Sequence, residues 1–184
     1  MLPKGTFPDR FCFGPDQLAE FANMKKGLLM VVVNRATGWP ASVAGQVFRA
    51  LGRELRVCVV EFARAARTPA CPGAVDAFAG LLKIHSPDAG GNDKNSSGVS
   101  NGSTANAAWE YGKNAVQSGE FDMVVMDGIG DAMIRDSLNA DEVVAFLHAR
   151  PENVHVIVTG RVAPASMADA ADMITDVHPI KESA

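Results

Sequence analysis

Only three cysteines, one tyrosine and two tryptophans occur in the 184 residues of this chain. Cys12, Cys58 and Cys71 are odd in number and lack the paired spacing of a zinc site, so neither a disulfide framework nor a structural metal is expected. They suit a reducing compartment. Long apolar runs are also missing. No stretch approaches the ~18 consecutive apolar residues of a membrane span, and Met1-Leu2-Pro3-Lys4-Gly5-Thr6-Phe7 carries no apolar core of a secretion signal. A cytoplasmic protein without a membrane partner is the expectation. The 17 basic residues are outnumbered by 21 acidic ones, for a net charge of −4, and they do not cluster, which argues against a nucleic-acid partner. His85, His148, His155 and His178 show no i, i+4 pairing, so no metal site is expected from them.

What is present is an ordinary globular composition, 47% hydrophobic and 21% charged, enough to bury one full core. The chain is organised around residues 28 to 42. There the run Leu28-Leu29-Met30-Val31-Val32-Val33 breaks into Asn34-Arg35-Ala36-Thr37-Gly38-Trp39-Pro40 and then Ala41-Ser42-Val43-Ala44. A valine-rich apolar run of this kind predicts a strand buried on both faces, hence a central parallel strand. Val43, Val47, Phe48 and Leu51 follow at helical spacing, and Pro40 suits the first turn of that helix. A strand, a loop and a helix therefore follow one another, the arrangement in which a phosphate-binding loop would place its glycines, lysine and hydroxyl. Counted from Asn34, the second glycine position holds Gly38, but the lysine position holds Trp39 and the first hydroxyl position Pro40.

In chain order, residues 1–25 form an arm and a short amphipathic helix, and residues 26–180 an α/β domain. Strands are predicted at 56–62, 81–84, 121–127, 154–159 and 173–177, with helices at 105–118, 140–149 and 165–171, the first of them capped by Thr104. Gly52 is placed as the cap closing the helix after the first strand. Residues 88–104 hold one large apolar side chain among glycines and asparagines and are expected to form a flexible surface loop. Strands alternating with helices predict a parallel sheet with helices on both faces.

Particular residues add a resemblance. Lys26-Gly27, Arg49-Ala50-Leu51-Gly52, Val57-Cys58-Val59-Val60-Glu61-Phe62, the segment Phe121-Asp122-Met123-Val124-Val125-Met126-Asp127, Leu147-His148-Ala149-Arg150-Pro151, Val156-Ile157-Val158-Thr159-Gly160-Arg161 and Ala170-Ala171-Asp172-Met173-Ile174-Thr175-Asp176 together resemble the P-loop type ATP:corrinoid adenosyltransferases. The resemblance implies a P-loop NTPase-like, RecA-like fold and transfer of adenosyl from ATP to reduced cobalt, with release of triphosphate. It also implies ATP, magnesium and a corrinoid as ligands where the activity is retained, and no cofactor otherwise. Positions carried over as nucleotide-binding are Asn34, Arg35, Thr37, Gly38, Trp39, Ser42, Asp127 and Arg161, with Asp127 the magnesium position.

Four of the family's functional elements are missing here. The family's loop reads Gly-Asn-Gly-Lys-Gly-Lys-Thr-Thr, and residues 34 to 41 keep one glycine of it. Asp127 is followed by Gly128 where the family has Asp-Glu; no Phe-x-Trp follows the third strand; and the family's Lys-, His- and Gly-rich extension is expected to be missing, since Glu182-Ser183-Ala184 after Lys181 do not match it. A charge-assisted hydrogen bond to a buried phosphate contributes roughly 1.5 to 3 kcal/mol, so losing the lysine and a hydroxyl together lowers nucleotide affinity by several powers of ten. Arg35 is either a replacement cation or a solvated loop residue. Asp127 is either a ligand to a magnesium-bound water or the cap of a neighbouring turn, and Trp39 is either a stacking or partner contact or a ring folded over the empty loop. Asp131 and Asp136 are expected to form a solvated acidic face. The favoured expectation is a family member that has lost ATP binding and transfer and serves as a binding or assembly subunit, as a homo-oligomer such as a dimer or with a partner protein. The alternatives are an active adenosyltransferase with an atypical loop, and an α/β domain that binds another small ligand at the carboxyl ends of its strands.

Overall fold

The computed structural model describes residues 26–35, 40–62, 77–86, 102–135 and 137–178. The amino-terminal arm, Ala36 to Trp39, Asp136 and residues 88–101 of the expected loop lie outside them.

Six strands form one sheet: β1 (Leu29–Asn34), β2 (Val57–Glu61), β3 (Leu82–His85), β4 (Met123–Asp127), β5 (His155–Gly160) and β6 (Met173–Val177). Their order is β3-β2-β4-β5-β1-β6, and every pairing is parallel. Among the described residues the helices are α1 (Ala41–Leu51), α2 (Gly102–Gln117), α3 (Ile129–Ile134), α4 (Ala140–His148) and α5 (Ala165–Ala170).

Parallel strands need crossover connections, and right-handed crossovers decide which face each helix takes. Chain direction across the sheet runs one way from β1 to β2 and the opposite way from β3 to β4, β4 to β5 and β5 to β6. Thus α1 must lie on one face and the later helices on the other. The two core clusters show this division. Met30, Val32, Val57, Val59, Val125 and Ile157 pack with Val43, Val47 and Leu51 of α1. Leu29, Val31, Cys58, Val60, Val124, Met126, Val156 and Val158 face α2, α3, α4 and α5. The period-2 alternation of strand side chains sorts each apolar run between these layers. This is why the inner strands carry no polar stripe. Each fully buried valine, leucine or isoleucine contributes about 1.5–3 kcal/mol.

Boundaries agree with the sequence expectation to within one or two residues for most elements, with three corrections. Helix α2 begins at Gly102, so Thr104 lies in its first turn rather than capping it. Burial of Ala105 and Ala108 fixes the helix, and extending a formed helix by a turn costs little. Pro40 is the N-cap of α1, with φ −62 and ψ 125, and not a first-turn residue. Its extended ψ leaves Ala41 as the first helical position. Helix α3 was not foreseen, although Ile129, Ala132 and Met133 stand at i, i+3, i+4 and are all buried. Gly52 closes α1 as expected, donating its N–H to the Phe48 carbonyl.

Candidate functional site

Because the chain leaves β1 and β5 toward opposite faces, a crevice opens between their carboxyl ends, the position at which open α/β sheets bind ligands. A cleft lies there, lined by Asn34, Pro40, Asp127, Gly128, Asp131, Thr159, Gly160 and Arg161. Four strand-end residues, Asn34, Glu61, Asp127 and Thr159, share the face that α1 covers, as their register with the buried strand residues requires.

The floor of the cleft is a short polar relay. Thr159 donates its hydroxyl to Asp127 Oδ1 at 2.6 Å, and its oxygen accepts the Gly128 N–H at 2.9 Å. Asp127 and Thr159 are both buried. Gly128 has φ 83, a left-handed backbone that glycine adopts without strain, and it turns the chain from β4 into α3. The wall is set by two glycines in contact. A Cβ on Gly130 would lie 2.4 Å from the Val162 carbonyl oxygen, and one on Gly160 would lie 2.9 Å from the Gly130 Cα. This close approach carries Asp131 to the end of β5. There its Oδ1 accepts from the Arg161 N–H at 3.4 Å and from Arg161 Nε at 3.3 Å.

Of the residues singled out from the sequence, Asn34, Asp127 and Arg161 come together in this cleft. Arg35 is 58% exposed and pairs with Asp176 at 3.7 Å, so it stands beside the cleft at the end of β1 and does not line it. Ser42 is exposed on the first turn of α1, outside the lining. Thr37, Gly38 and Trp39 lie outside the described residues. Asp131 corrects the expectation of a solvated acid, since its side chain is only 16% exposed and is paired with Arg161. The glycine contact at 130 and 160 draws it in. The sequence reading left Thr159 out of the candidate site residues, although Thr159-Gly160-Arg161 was among the segments that carried the resemblance.

Pro40 forms the remaining wall. Its side chain gives α1 no cap, and its carbonyl accepts the N–H groups of Val43 and Ala44 at 2.9 and 3.1 Å. Proline has no N–H of its own to offer a ligand. Farther along the carboxyl edge, the Ser86 hydroxyl donates to Glu61 Oε2 in a short contact. On the opposite face His85 stacks on Tyr111, 3.6 Å between ring centres, an aromatic neighbour that sequence separation concealed. Burial pushes the Cys58 thiol up to about 11, so it is not a nucleophile at neutral pH.

A family model described as ATP:corrinoid adenosyltransferase BtuR/CobO/CobP matches residues 25–184. The chain belongs to this family. Among individual relatives, a corrinoid adenosyltransferase of Pseudomonas aeruginosa is 29% identical over 91% of this chain and 83% of its own length. The corrinoid adenosyltransferase CobA of Salmonella typhimurium is 26% identical over 88% and 82%. One from a Sinorhizobium species is 26% identical over 85% and 74%. The all-parallel sheet with helices on both faces is the P-loop NTPase-like architecture that the family resemblance implied.

Proposed function

We propose that this member of the adenosyltransferase family has lost ATP binding and adenosyl transfer and serves as a binding or assembly subunit, with a second copy of itself or with a partner protein. The observation that carries the reading is Pro40 in the wall of the cleft, at the helix start where the family's loop supplies a hydroxyl and an N–H.

The other groups in the cleft support the same reading. Among the described residues, the lining brings the carboxylates of Asp127 and Asp131 together with the guanidinium of Arg161. The donor set does not fit a magnesium ion bound with nucleotide. Pro40 has no hydroxyl to offer the ion, and Asp127 is followed by Gly128, which brings no second carboxylate to the end of β4.

An anaerobic assay tests the reading. Protein mixed with reduced corrinoid and magnesium-ATP is followed by absorbance for adenosylcorrinoid and by phosphate analysis for triphosphate. Neither product is expected. Turnover of either would establish an active enzyme with an atypical loop. A second reading, in which the cleft holds a different small ligand, draws on its position at the switch point of the sheet. Native mass spectrometry of the purified protein distinguishes it by a bound mass.

A further inference from the structure

The opposite end of the sheet holds a polar cluster that the nucleotide reading does not use. There the segment entering β1 is fixed by nearly every backbone group it has. The Gly27 N–H donates to the Glu152 carbonyl, and the Gly27 carbonyl accepts from Arg150 Nη2 at 2.9 Å. The Leu29 N–H donates to Asp172 Oδ2 at 2.7 Å. Between them, the Leu28 N–H donates to Nδ1 of His155 at 3.2 Å. Gly27 lies so close to β5 that a Cβ there would stand 2.1 Å from the Val154 carbonyl oxygen. The segment is thus seated directly on the start of β5.

Of these anchors, only His155 is a group whose acceptor can vanish within the pH range near neutrality. A neutral imidazole accepts at one nitrogen, whereas the imidazolium ion donates at both. With Nδ1 protonated, an N–H would face the Leu28 N–H. We propose that His155 is a proton-operated latch on the chain entering β1: neutral Nδ1 holds the Leu28 N–H, and protonation frees that N–H and loosens the chain locally at Leu28.

The charges around the ring bear on the direction. Lys26 precedes β1, Arg150 follows α4, Glu152 precedes β5, Asp122 precedes β4 and Asp172 precedes β6. Glu152 offers the segment its backbone carbonyl. The carboxylate of Asp122 is engaged by Arg56 and that of Asp172 by Arg150. Burial, and after it Arg150, hold His155 below the ordinary 6.5, with Asp122 opposing. The neutral, accepting ring is the form that the fold favours. Because the folded value lies below the unfolded one, the latch is fully closed above 6.5 and opens as pH falls through the folded value.

The test is a nitrogen-15 NMR titration of the full chain from about pH 8 to about pH 5, read at the His155 ring and the Leu28 amide. The expected result is a ring midpoint below 6.5 with the Leu28 amide shifting at the same midpoint. Leu28 hydrogen exchange, corrected for its intrinsic pH dependence, should speed by up to roughly tenfold per pH unit within that window. His155→Asn keeps an acceptor oxygen near the Nδ1 position but does not titrate, and its Leu28 amide should hold steady. A Leu28 amide indifferent to the ring's titration, a ring midpoint at or above 6.5, or a wild-type pH response in the Asn variant would overturn the proposal. The titration of the unsubstituted chain decides alone should the variant not fold.

Discussion

The hydroxyl of Thr159 joins two strands and a turn, donating to Asp127 Oδ1 at 2.6 Å while accepting the Gly128 N–H at 2.9 Å. Loss of the hydroxyl removes one hydrogen bond to the buried Asp127 carboxylate and one from the half-buried Gly128 amide. A hydrogen bond contributes about 0.5–1.5 kcal/mol and one to a charged group about 1.5–3, so Thr159→Val should lower stability by about 2–4 kcal/mol in urea unfolding. Thr159→Ser, which keeps the oxygen, should cost less than half as much. Equal losses in the two variants would show that the methyl group, not the relay, matters.

Two glycine substitutions should act in opposite directions. A Cβ on Gly130 meets the Val162 carbonyl at 2.4 Å, whereas one on Gly45, within α1, meets nothing within 4 Å. Gly130→Ala must push α3 away from β5, and overpacking of this kind costs about 1–3 kcal/mol. Gly45→Ala should stabilise by up to about 1 kcal/mol through helix propensity. Thermal unfolding of the pair gives both signs in one experiment. A Gly130→Ala protein with unchanged melting temperature would mean that the close approach of α3 and β5 is not required.

The contrast between these sites and the fold explains what the sequence could disclose. Val31, Val32, Val124 and Val125 announce buried strands because their neighbours are apolar as well, and that pattern is local. Alternating strands and helices announced a parallel sheet with helices on both faces, but the order β3-β2-β4-β5-β1-β6 rests on pairings between distant segments that no local pattern encodes. The pairing of Asp131 with Arg161 depends on two glycines 30 residues apart meeting in space, which no periodicity encodes. Asp131 therefore looked like a surface acid. Helix α3 went unseen for a different reason: at six residues it is shorter than the window over which amphipathic spacing separates helix from turn.

Acid should destabilise the protein through two carboxylates at the amino ends of the strands. A hydrogen bond from Arg56 holds Asp122 below its usual 3.8, and the Leu29 N–H does the same for Asp172. Each folded value is depressed relative to the unfolded chain, so the contribution is present above 3.8 and lost as pH falls through the folded values. Asp122→Asn should be less stable than the unsubstituted chain near pH 6, and the difference should shrink as pH falls below 3.8, by urea midpoint. A difference that persists undiminished at the lower pH would assign the loss to geometry and not to charge.

Magnesium-ATP at about 1 mM should leave the melting temperature unchanged, where a ligand at 100 times its Kd would add about 2.7 kcal/mol. For a chain of this size that stabilisation would raise the melting temperature by roughly 5–10 °C, well above the noise of a thermal scan. Sodium chloride at matched ionic strength is the control, since the pair of Arg35 with Asp176 is exposed on both sides and is screened by salt. A rise with ATP and none with salt would restore nucleotide binding to this cleft.

Whether the cleft can be refilled separates a lost site from an unusual one. Val43, Val47, Ala50 and Leu51 anchor α1 in the core by their side chains, and the bond from the Val43 N–H to position 40 uses a backbone carbonyl that Thr also supplies, so the helix should stay where it is. Asn34→Gly, Ala36→Gly, Trp39→Lys, Pro40→Thr and Ala41→Thr together restore the glycines, the cation and the hydroxyl of a phosphate loop. Pro40→Thr also returns an N–H to the start of α1, where the helix terminus favours anions. The lysine adds one positive charge to the segment between β1 and α1. Calorimetry should then detect triphosphate binding, with none expected for the unsubstituted chain. Adenosyl transfer should still fail. Asp127 remains without an acidic neighbour at position 128, and phosphate binding alone does not align cobalt with the ribose carbon to the tolerance that nucleophilic attack demands. Binding without transfer is thus the expected outcome. Failure of the refilled loop to bind triphosphate would move the phosphate site away from the residues between β1 and α1, while transfer by the refilled chain would show that the missing acidic and aromatic groups were dispensable.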